Sequence, residues 1–337
     1  MLWQDVSLAA LNTFGVEARA RWFAAVDSID ALAAVLADPR VDGLPRVILG
    51  GGSNLLLTGD LDALVLKIDL RGVHDLPPTE DHWRVRVGAG ETWHAVVEQL
   101  IQADRPGLEN LALIPGSTGA APIQNIGAYG LELAERFDSL TAWDIARAEL
   151  VTMSLADCAF GYRDSVFKGP LAGQRIVLDV TFALPRQWQP VTGYADVASE
   201  LAARGVASPT ARDVFDAVVA IRRRKLPDPA AIGNAGSFFK NPIVSRDKRA
   251  ELIAKFPSLV SYPLAGGRFK LAAGWLIDAA GMKGATRGRA GVYEKQALVL
   301  VNRGGATGRE ILALAREVQD KVQEKFGVAL EPEPVIL

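Results

Sequence analysis

Hydrophobic and polar positions follow two periods along this chain, one typical of strands and one typical of helices. Short runs rich in Val, Ile and Leu at residues 46–50 and 63–68 predict buried strands. Residues 83–87 alternate between apolar and charged side chains, which predicts a half-exposed strand. Helices that begin after Ser28 and Thr92 are predicted through about residues 37 and 103, with each of these residues as the cap. Further strands are predicted at residues 139–145 and 176–184.

The second part of the chain begins after a helix predicted at residues 212–224. Pro227 and Pro229 stop that helix and mark a domain boundary. The last predicted helix places four apolar residues on one face: Ile311, Leu314, Val318 and Val322. Because helices and strands mix without strict βαβ repetition, we expect α+β lobes. The remaining elements predicted here are helices at residues 245–256, 274–280 and 307–326, and a strand at residues 297–301.

Composition and charge indicate how many lobes the chain forms and which partners and sites we do not expect. A chain of 337 residues predicts two or three lobes. A formal net charge of -2 gives no general attraction to nucleic acid or to an anionic membrane, so we expect neither partner. The single cysteine, Cys158, indicates a reducing compartment and hence a cytoplasmic protein, and only three histidines argue against a metal site. We find neither a signal peptide nor an apolar stretch that could span a bilayer.

A glycine turn follows the first predicted buried strand. Residues 47–56 read Val-Ile-Leu-Gly-Gly-Gly-Ser-Asn-Leu-Leu. Glycines permit positive φ and allow backbone N–H groups to approach a phosphate closely. The motif is not a P-loop, because no Gly-Lys-Ser/Thr follows, and it is not a good G-x-G-x-x-G. From this segment alone, a tight structural turn and a phosphate cradle are both open.

A second segment favours the cradle. Residues 114–130 read Ile-Pro-Gly-Ser-Thr-Gly-Ala-Ala-Pro-Ile-Gln-Asn-Ile-Gly-Ala-Tyr-Gly, which is too rich in glycine for a helix. Small residues, hydroxyls and amides of this kind can surround a large planar cofactor with backbone donors. The alternative is a long structural loop, but long ordered loops are usually functional.

Together the two segments resemble the FAD-binding domain shared by UDP-N-acetylenolpyruvoylglucosamine reductases, vanillyl-alcohol-type oxidases and lactone oxidases. The resemblance implies FAD as cofactor, with the glycine turn and the Pro-Gly-Ser-x-Gly loop at its pyrophosphate and residues 125–127 near the flavin. The residues implied are Gly50, Gly51, Gly52, Ser53, Asn54, Leu55, Gly116, Ser117, Gly119, Asn125, Ile126 and Gly127.

Three other segments carry the chemistry. Residues 233–242 read Gly-Asn-Ala-Gly-Ser-Phe-Phe-Lys-Asn-Pro, in which a turn-forming stretch delivers Ser237 into a run with two aromatics, a cation and an amide. Residues 161–168 contain Arg163, whose fork of donors suits a carboxylate. The third segment, Leu-Glu-Pro-Glu, ends at Glu333. By themselves these residues could be a turn cap, a surface ion pair and a frayed acidic tail.

These segments, together with residues 11–16, resemble the UDP-N-acetylenolpyruvoylglucosamine reductases of bacterial cell-wall synthesis. The resemblance implies that Ser237 gives a proton to the substrate, that Arg163 stabilises the developing charge, and that Glu333 acts at the substrate carboxylate. The family usually continues as a strand after the acid, whereas this chain has Pro334 and ends at Leu337. Glu331 is therefore the alternative acid.

The same resemblance implies four substrate contacts: Tyr194, Lys225, Asn241 and Gln296. Tyr194 lies in a predicted loop, residues 191–196, that marks the longer subclass of this reductase and folds over the substrate. Without the flanking matches, these four would be a turn tyrosine, a helix-end lysine, a strand-end asparagine and an exposed glutamine.

The resemblance also implies an architecture and a reaction. We expect a two-lobed FAD-binding domain of the vanillyl-alcohol-oxidase type, with lobes at residues 1–75 and 76–226, and an α+β substrate-binding domain at residues 227–327. Residues 328–337 should return to the second lobe. NADPH should serve as co-substrate for reduction of UDP-N-acetylglucosamine enolpyruvate, in a monomer. The rivals are an FAD-linked oxidase of an alcohol or lactone, and a flavin- or nucleotide-binding protein without turnover.

Overall fold

A computed structural model describes residues 1–337, and its contacts group them into two compact units. The first unit comprises Met1–Val6, Ala20–Gly52 and Leu61–Arg224. The second comprises Ser7–Arg19, Ser53–Asp60 and Lys225–Leu337. This grouping differs from the expected three-part division. Both expected FAD lobes fall largely in one unit, and residues 328–337 group with the residues expected to bind substrate.

A four-stranded sheet opens the first unit. Its strands lie in the order Trp3–Ser7, Arg19–Val26, Leu61–Ile68 and Arg46–Leu49, and the last three are parallel. The helix Ile29–Leu36 buries Leu32 and Val35 in the core that includes this sheet. The Ser28 hydroxyl accepts a hydrogen bond from the Ala31 N–H at 3.3 Å, which confirms the predicted cap.

The rest of the first unit is built on a five-stranded antiparallel sheet. Its order is Glu149–Ser154, Phe137–Asp144, Arg175–Pro185, His82–Gly88 and Val73–Leu76. A short hairpin pairs Gly127–Ala128 with Leu131–Glu132. A large hydrophobic core lies in this region, with Trp93 edge-on to Phe182 at 5.8 Å. The helices here are Trp93–Gln102, Leu155–Cys158, Ala195–Ala203 and Ala211–Lys225.

Three small sheets form the second unit. The first has the order Gly233–Ser237, Val299–Asn302, Ala290–Val292 and Thr286–Arg287; the second has the order Ile243–Ser245, Arg268–Leu271 and Ser261–Pro263. The third pairs Leu55–Leu56 with Val335–Ile336 in parallel. The helices are Arg246–Lys255, Ala273–Ala279 and Gly308–Phe326.

Helix Gly308–Phe326 illustrates why local signals predict helices well. Thr307 and Glu310 form a capping box at its start, and Gly327 adopts the left-handed conformation at its end. All four apolar residues predicted for one face are buried. Single-turn helices complete the structure at Ala9–Leu11, Pro39–Val41, Glu109–Leu111, Thr118–Ala120, Pro122–Gln124, Leu133–Arg136, Val166–Lys168 and Ala265–Gly267.

Candidate active site

In the first unit, the glycine turn and the Pro-Gly-Ser-x-Gly loop meet backbone to backbone. A Cβ atom added to Gly51 would lie 2.7 Å from the Gly116 Cα, and one added to Gly50 would overlap the Ser117 hydroxyl. Gly52 and Gly116 have φ values of 63° and 120°, which side-chain-bearing residues rarely adopt. The crossing therefore requires glycine. The two segments that the sequence assigned to one cofactor are indeed adjacent.

The loop that carries Gly116 and Ser117 is anchored on its far side. The Trp93 N–H donates to the Gly116 carbonyl at 3.0 Å, and the Gly119 N–H donates to the Ala89 carbonyl at 2.9 Å. The Ser117 hydroxyl is buried without a hydrogen-bond partner. A fixed backbone free of side chains, beside a hydroxyl with no protein acceptor, fits the pyrophosphate of a dinucleotide cofactor.

Asn125 organises the next part of this loop. It is buried in the left-handed conformation with φ 44°, and its side-chain amide donates to the Gly161 carbonyl at 3.0 Å and to Glu132 at 2.9 Å. Its side-chain oxygen accepts from the Ala134 N–H at 3.0 Å. Because these bonds occupy the side chain, a role near the flavin would fall to the backbone of residues 125–127.

Arg163 joins two of the predicted motifs. Its guanidinium donates to the Gly127 carbonyl and, at 3.4 Å, to the Asn125 carbonyl, and it lies 5.3 Å from the centre of the Tyr162 ring. Arg163 itself has φ 54°. The predicted catalytic arginine and the predicted flavin neighbours thus occupy one place in the first unit.

Tyr194 differs from its sequence prediction in local structure. It is the residue that precedes helix Ala195–Ala203, so the predicted loop ends in a helix. The residue is 40% exposed, and its ring lies edge-on to that of Tyr129 with centroids 5.3 Å apart. Asn110 donates to the carbonyls of Val191 and Tyr129 at 2.8 and 2.9 Å, which fixes the chain on both sides of this aromatic pair.

Two hydrogen bonds at the entrance to the loop could not be predicted from the sequence. The Leu113 N–H donates to His94 Nδ1 at 3.1 Å, and Arg222 Nε donates to the Leu113 carbonyl at 3.2 Å. No local pattern connects residues so distant in sequence, so only the tertiary structure reveals this arrangement.

In the second unit, Ser237 ends strand Gly233–Ser237 rather than a turn. The strand pairs with Val299–Asn302 through an irregular register, and Gly236 has φ 69°. Ser237 is exposed, while Phe238 and Phe239 directly after it are buried. The phenyl rings therefore hold the backbone of an exposed hydroxyl in a fixed position.

Glu333 lies on a segment that runs antiparallel to the residues after Ser237. The Glu333 N–H donates to the Phe238 carbonyl at 2.8 Å, and the Lys240 N–H donates to the Glu331 carbonyl at 2.9 Å. Glu331 forms an ion pair with Lys240, and its side chain is 70% exposed. The chain end is docked rather than frayed, because strand Val335–Ile336 pairs with Leu55–Leu56.

The same C-terminal segment contacts the residues that continue the glycine turn. The Asn54 amide donates to the Glu333 carbonyl at 3.4 Å, and the Val335 N–H donates to the Asn54 carbonyl at 3.0 Å. Predicted cofactor residues Ser53, Asn54 and Leu55 thus share the second unit with Ser237 and Glu333.

Two predicted substrate residues converge on the start of helix Ala273–Ala279. The Asn241 side-chain oxygen accepts from the Ala273 N–H at 2.9 Å, and a Cβ on Gly274 would lie 3.0 Å from Gln296 Oε1. Another predicted substrate residue, Lys225, is the last residue of helix Ala211–Lys225 and is half-buried.

Family models match both parts of the chain. Residues 20–154 match the model described as FAD binding domain. Residues 228–337 match the model described as UDP-N-acetylenolpyruvoylglucosamine reductase, C-terminal domain. Together with the mixed helices and strands, these matches confirm the expected fold class: an FAD-binding domain followed by a C-terminal α+β domain.

Whole-chain comparisons agree. The chain is 57% identical to the UDP-N-acetylenolpyruvoylglucosamine reductase of Ralstonia nicotianae over 97% of its own length and 96% of that protein. It is 56% identical to that of Burkholderia ambifaria over 98% and 95%. The crystal structure of the Thermus caldophilus reductase aligns with a TM-score of 0.68 at 23% identity, over 100% of this chain and 99% of that one, and shares the fold. The chain therefore belongs to the UDP-N-acetylenolpyruvoylglucosamine reductases, FAD-binding oxidoreductases of peptidoglycan precursor synthesis.

Proposed function

We propose that this protein reduces the enolpyruvyl group of UDP-N-acetylglucosamine enolpyruvate to give UDP-N-acetylmuramate, with NADPH as the source of electrons. The observation that carries the proposal is the hydrogen bonding of Arg163 to the carbonyls of Asn125 and Gly127. The chain is also 57% identical to the UDP-N-acetylenolpyruvoylglucosamine reductase of Ralstonia nicotianae. When bound, FAD would supply hydride transfer, accepted from NADPH and delivered to the outer enolpyruvyl carbon.

The cofactor would be held by backbone groups. Gly50–Asn54 and Gly116–Gly119 would face the pyrophosphate, because the glycines at their crossing carry no side chain that would keep a phosphate from the backbone N–H groups. The backbone of residues 125–127 would lie near the flavin. Leu55 and Ile126 are buried, and each would anchor its own segment.

Arg163 would stabilise the negative charge that develops next to the substrate carboxylate. Carbonyl contacts hold its guanidinium in place before substrate binds, and a preorganised cation lowers the barrier more than one that must reorient. Arg163→Lys retains the charge but loses the planar fork, and Arg163→Ala loses both. We expect substrate reduction to slow about 10²-fold or more in the alanine variant. Undiminished reoxidation of the flavin by the enolpyruvyl sugar in that variant would refute the role.

Ser237 would donate the proton that completes the product. A hydroxyl is a weak acid, so its position must be fixed and its loss of a proton assisted. In the Ser237→Ala variant, we expect NADPH to reduce the flavin at the wild-type rate. Reduction of the enolpyruvyl sugar should proceed at a small fraction of the wild-type rate. Stopped-flow absorbance at the flavin band separates the two half-reactions. Turnover of the alanine variant near the wild-type rate would exclude Ser237 as the donor.

Glu333 would act at the carboxylate end of the substrate, with Glu331 as the matched control. The two residues lie on the same segment, but the Glu331 side chain is largely exposed and pairs with Lys240. Glu333→Gln should slow reoxidation by substrate, whereas Glu331→Gln should leave it nearly unchanged. The opposite result would move the acid to Glu331.

Tyr194, Lys225, Asn241 and Gln296 would hold the nucleotide part of the substrate. A variant of any one should raise the KM for the enolpyruvyl sugar while NADPH still reduces the flavin. The exposure of Tyr194 supports its proposed role as the aromatic that folds over the substrate in the longer subclass. The proposal includes a monomer in the cytoplasm, where the nucleotide substrates are made. No helix of the structure has the length and apolar character needed to cross a membrane.

One anaerobic experiment tests the proposal against a related oxidase. The flavin of the purified protein is bleached with one equivalent of NADPH, and the enolpyruvyl sugar is then added. Return of the oxidised spectrum with formation of UDP-N-acetylmuramate supports the reductase. Bleaching by an alcohol or lactone, with no response to NADPH, would favour the FAD-linked oxidase, while a flavin that responds to neither would indicate a binding protein without turnover.

A further inference from the structure

Leu113 is held from two sides just before the Pro-Gly-Ser-x-Gly loop begins. Its N–H donates to Nδ1 of His94 at 3.1 Å, and its carbonyl accepts from Nε of Arg222 at 3.2 Å. Its φ is 59°, a left-handed conformation that is uncommon for a leucine. Backbone strain of this kind persists only where surrounding contacts enforce it.

The two side chains that hold Leu113 come from separate helices. His94 lies in the first turn of helix Trp93–Gln102, and Arg222 lies near the end of helix Ala211–Lys225. The helices are joined at this point, because the imidazole stacks on the Phe215 ring with centroids 5.3 Å apart and planes 7° apart. The first helix also fixes the loop through the Trp93 N–H, which donates to the Gly116 carbonyl at 3.0 Å.

We propose that neutral His94 is a positioning residue for the cofactor loop, and that protonation of its imidazole releases Leu113 and weakens FAD binding. The proposal rests on the assignment of Gly116–Gly119 to the FAD pyrophosphate. Nδ1 can accept from the Leu113 N–H only while it carries no proton. A proton on that nitrogen places two donors face to face, so the left-handed turn into Ile114 loses its support.

The charges around the imidazole favour the neutral form. Burial lowers the pKa of His94, and the cations Arg222 and Arg223 on the facing helix lower it further, while Glu98 on its own helix acts in the opposite direction. Glu98 is itself paired with Arg212 at 3.3 Å. FAD affinity should therefore be constant above the ordinary histidine pKa of 6.5 and should fall only at lower pH, as pH drops through the lowered pKa of His94 in the apoprotein.

Two substitutions separate the hydrogen bond from the ring packing. His94→Phe preserves stacking on Phe215 but has no acceptor, whereas His94→Asn can present an oxygen where Nδ1 lies but does not titrate. Dissociation constants for FAD are measured by flavin fluorescence on apoprotein between pH 5.5 and 8, with thermal unfolding of the apoprotein as a separate readout. His82→Asn is the matched control, because His82 is an exposed histidine on strand His82–Gly88.

We expect His94→Phe to weaken FAD binding about five- to tenfold at pH 8, the effect of one lost buried hydrogen bond. His94→Asn should retain most of the affinity and lose the decline below pH 6.5. His82→Asn should keep the wild-type profile. Wild-type affinity and profile in His94→Phe would overturn the proposal, as would a decline below pH 6.5 that survives in His94→Asn. Failure of the wild-type apoprotein to bind FAD at any pH would instead contradict the cofactor assignment itself.

Discussion

Alanine at Gly51 tests whether the backbone crossing of the glycine turn and the Gly116 loop is as tight as the structure shows. The added Cβ would lie 2.7 Å from the Gly116 Cα, 3.1 Å from its carbonyl carbon and 3.3 Å from the Ser117 nitrogen. The first distance falls about 0.7 Å short of the 3.4 Å at which ordinary contact begins. Every atom in the way belongs to backbone, so no side-chain rotation can relieve the overlap.

The neighbouring position provides a matched control. An added Cβ at Gly50 overlaps only the Ser117 hydroxyl, and the next atoms are the Ala120 Cβ at 3.4 Å and the Ser117 Cβ at 3.6 Å. Removing the hydroxyl with Ser117→Ala should therefore relieve Gly50→Ala and leave Gly51→Ala unrelieved. Ser117→Ala alone should cost little in the apoprotein, because the hydroxyl is buried without a partner.

We expect Gly51→Ala to cost about 1–3 kcal/mol of unfolding free energy through overpacking. Alanine also lowers the conformational entropy of the unfolded chain, which offsets roughly 0.4–1 kcal/mol of this loss in unfolding free energy. Gly50→Ala should fall between Gly51→Ala and wild type, and the Gly50→Ala/Ser117→Ala cycle should show coupling of about 1 kcal/mol. Urea unfolding of the apoproteins and FAD titration measure both effects. Equal rescue of both glycine variants by Ser117→Ala, or a Gly51→Ala protein that unfolds and binds FAD as wild type does, would refute the reasoning.

Three further predictions concern other parts of the chain. Burial raises the pKa of Cys158 to about 12, so Ellman's reagent at pH 8 should find no reactive thiol until the protein is unfolded, and then one. Deletion of residues 335–337 removes four hydrogen bonds to residues 54–58 and should lower the unfolding free energy by roughly 2–6 kcal/mol, measured by urea titration. Hydrogen bonds from Arg40 lower the pKa of Asp38 from 3.8 to about 2. The stabilisation that this pair contributes is therefore fully present above pH 3.8 and is lost as pH falls through 2. A carboxyl NMR titration should show a midpoint at about 2 for Asp38, and Arg40→Ala should raise that midpoint.

Sequence alone predicted the elements whose boundaries are set locally. Helix Gly308–Phe326 follows from its apolar period and from caps within a few residues of its ends. The contact grouping changes after Arg224, whereas the sequence pattern placed a boundary at Pro227 and Pro229. Thr92 shows the limit of such signals, since it precedes helix Trp93–Gln102 as predicted but its side chain makes no capping hydrogen bond.

The Gly233–Ser237 segment shows why other elements could not be predicted. Its Gly-Asn-Ala-Gly-Ser composition indicates a turn, yet it is a strand of a four-stranded sheet. The reason lies in the N-terminal motif. A Cβ on Gly233 would overlap the Phe14 carbonyl, and the Thr13 hydroxyl donates to the Asn234 carbonyl at 2.6 Å. Glycine is required there because another backbone passes close by, a constraint from residues more than 200 positions away.

For the candidate site, resemblance supplied the predicted residues and the structure added their local surroundings. The sequence could not indicate that Arg163 binds the carbonyls around Gly127, nor that the C-terminal segment runs beside Phe238. It also gave no sign that Tyr194 precedes a helix, since no side-chain cap marks that helix start. These are tertiary relations, and no local period encodes them.

The parallel pairing of Leu55–Leu56 with Val335–Ile336 has a consequence for synthesis on the ribosome. Thr58, just after the first strand, donates two hydrogen bonds to Leu337, 279 residues later. At typical bacterial elongation rates of about 5–20 residues per second, the first strand would wait roughly 14–56 s for its partner. During that time two leucines that are buried in the finished protein have no native strand beside them. The second unit can therefore be completed only after residues 335–337 have left the ribosome.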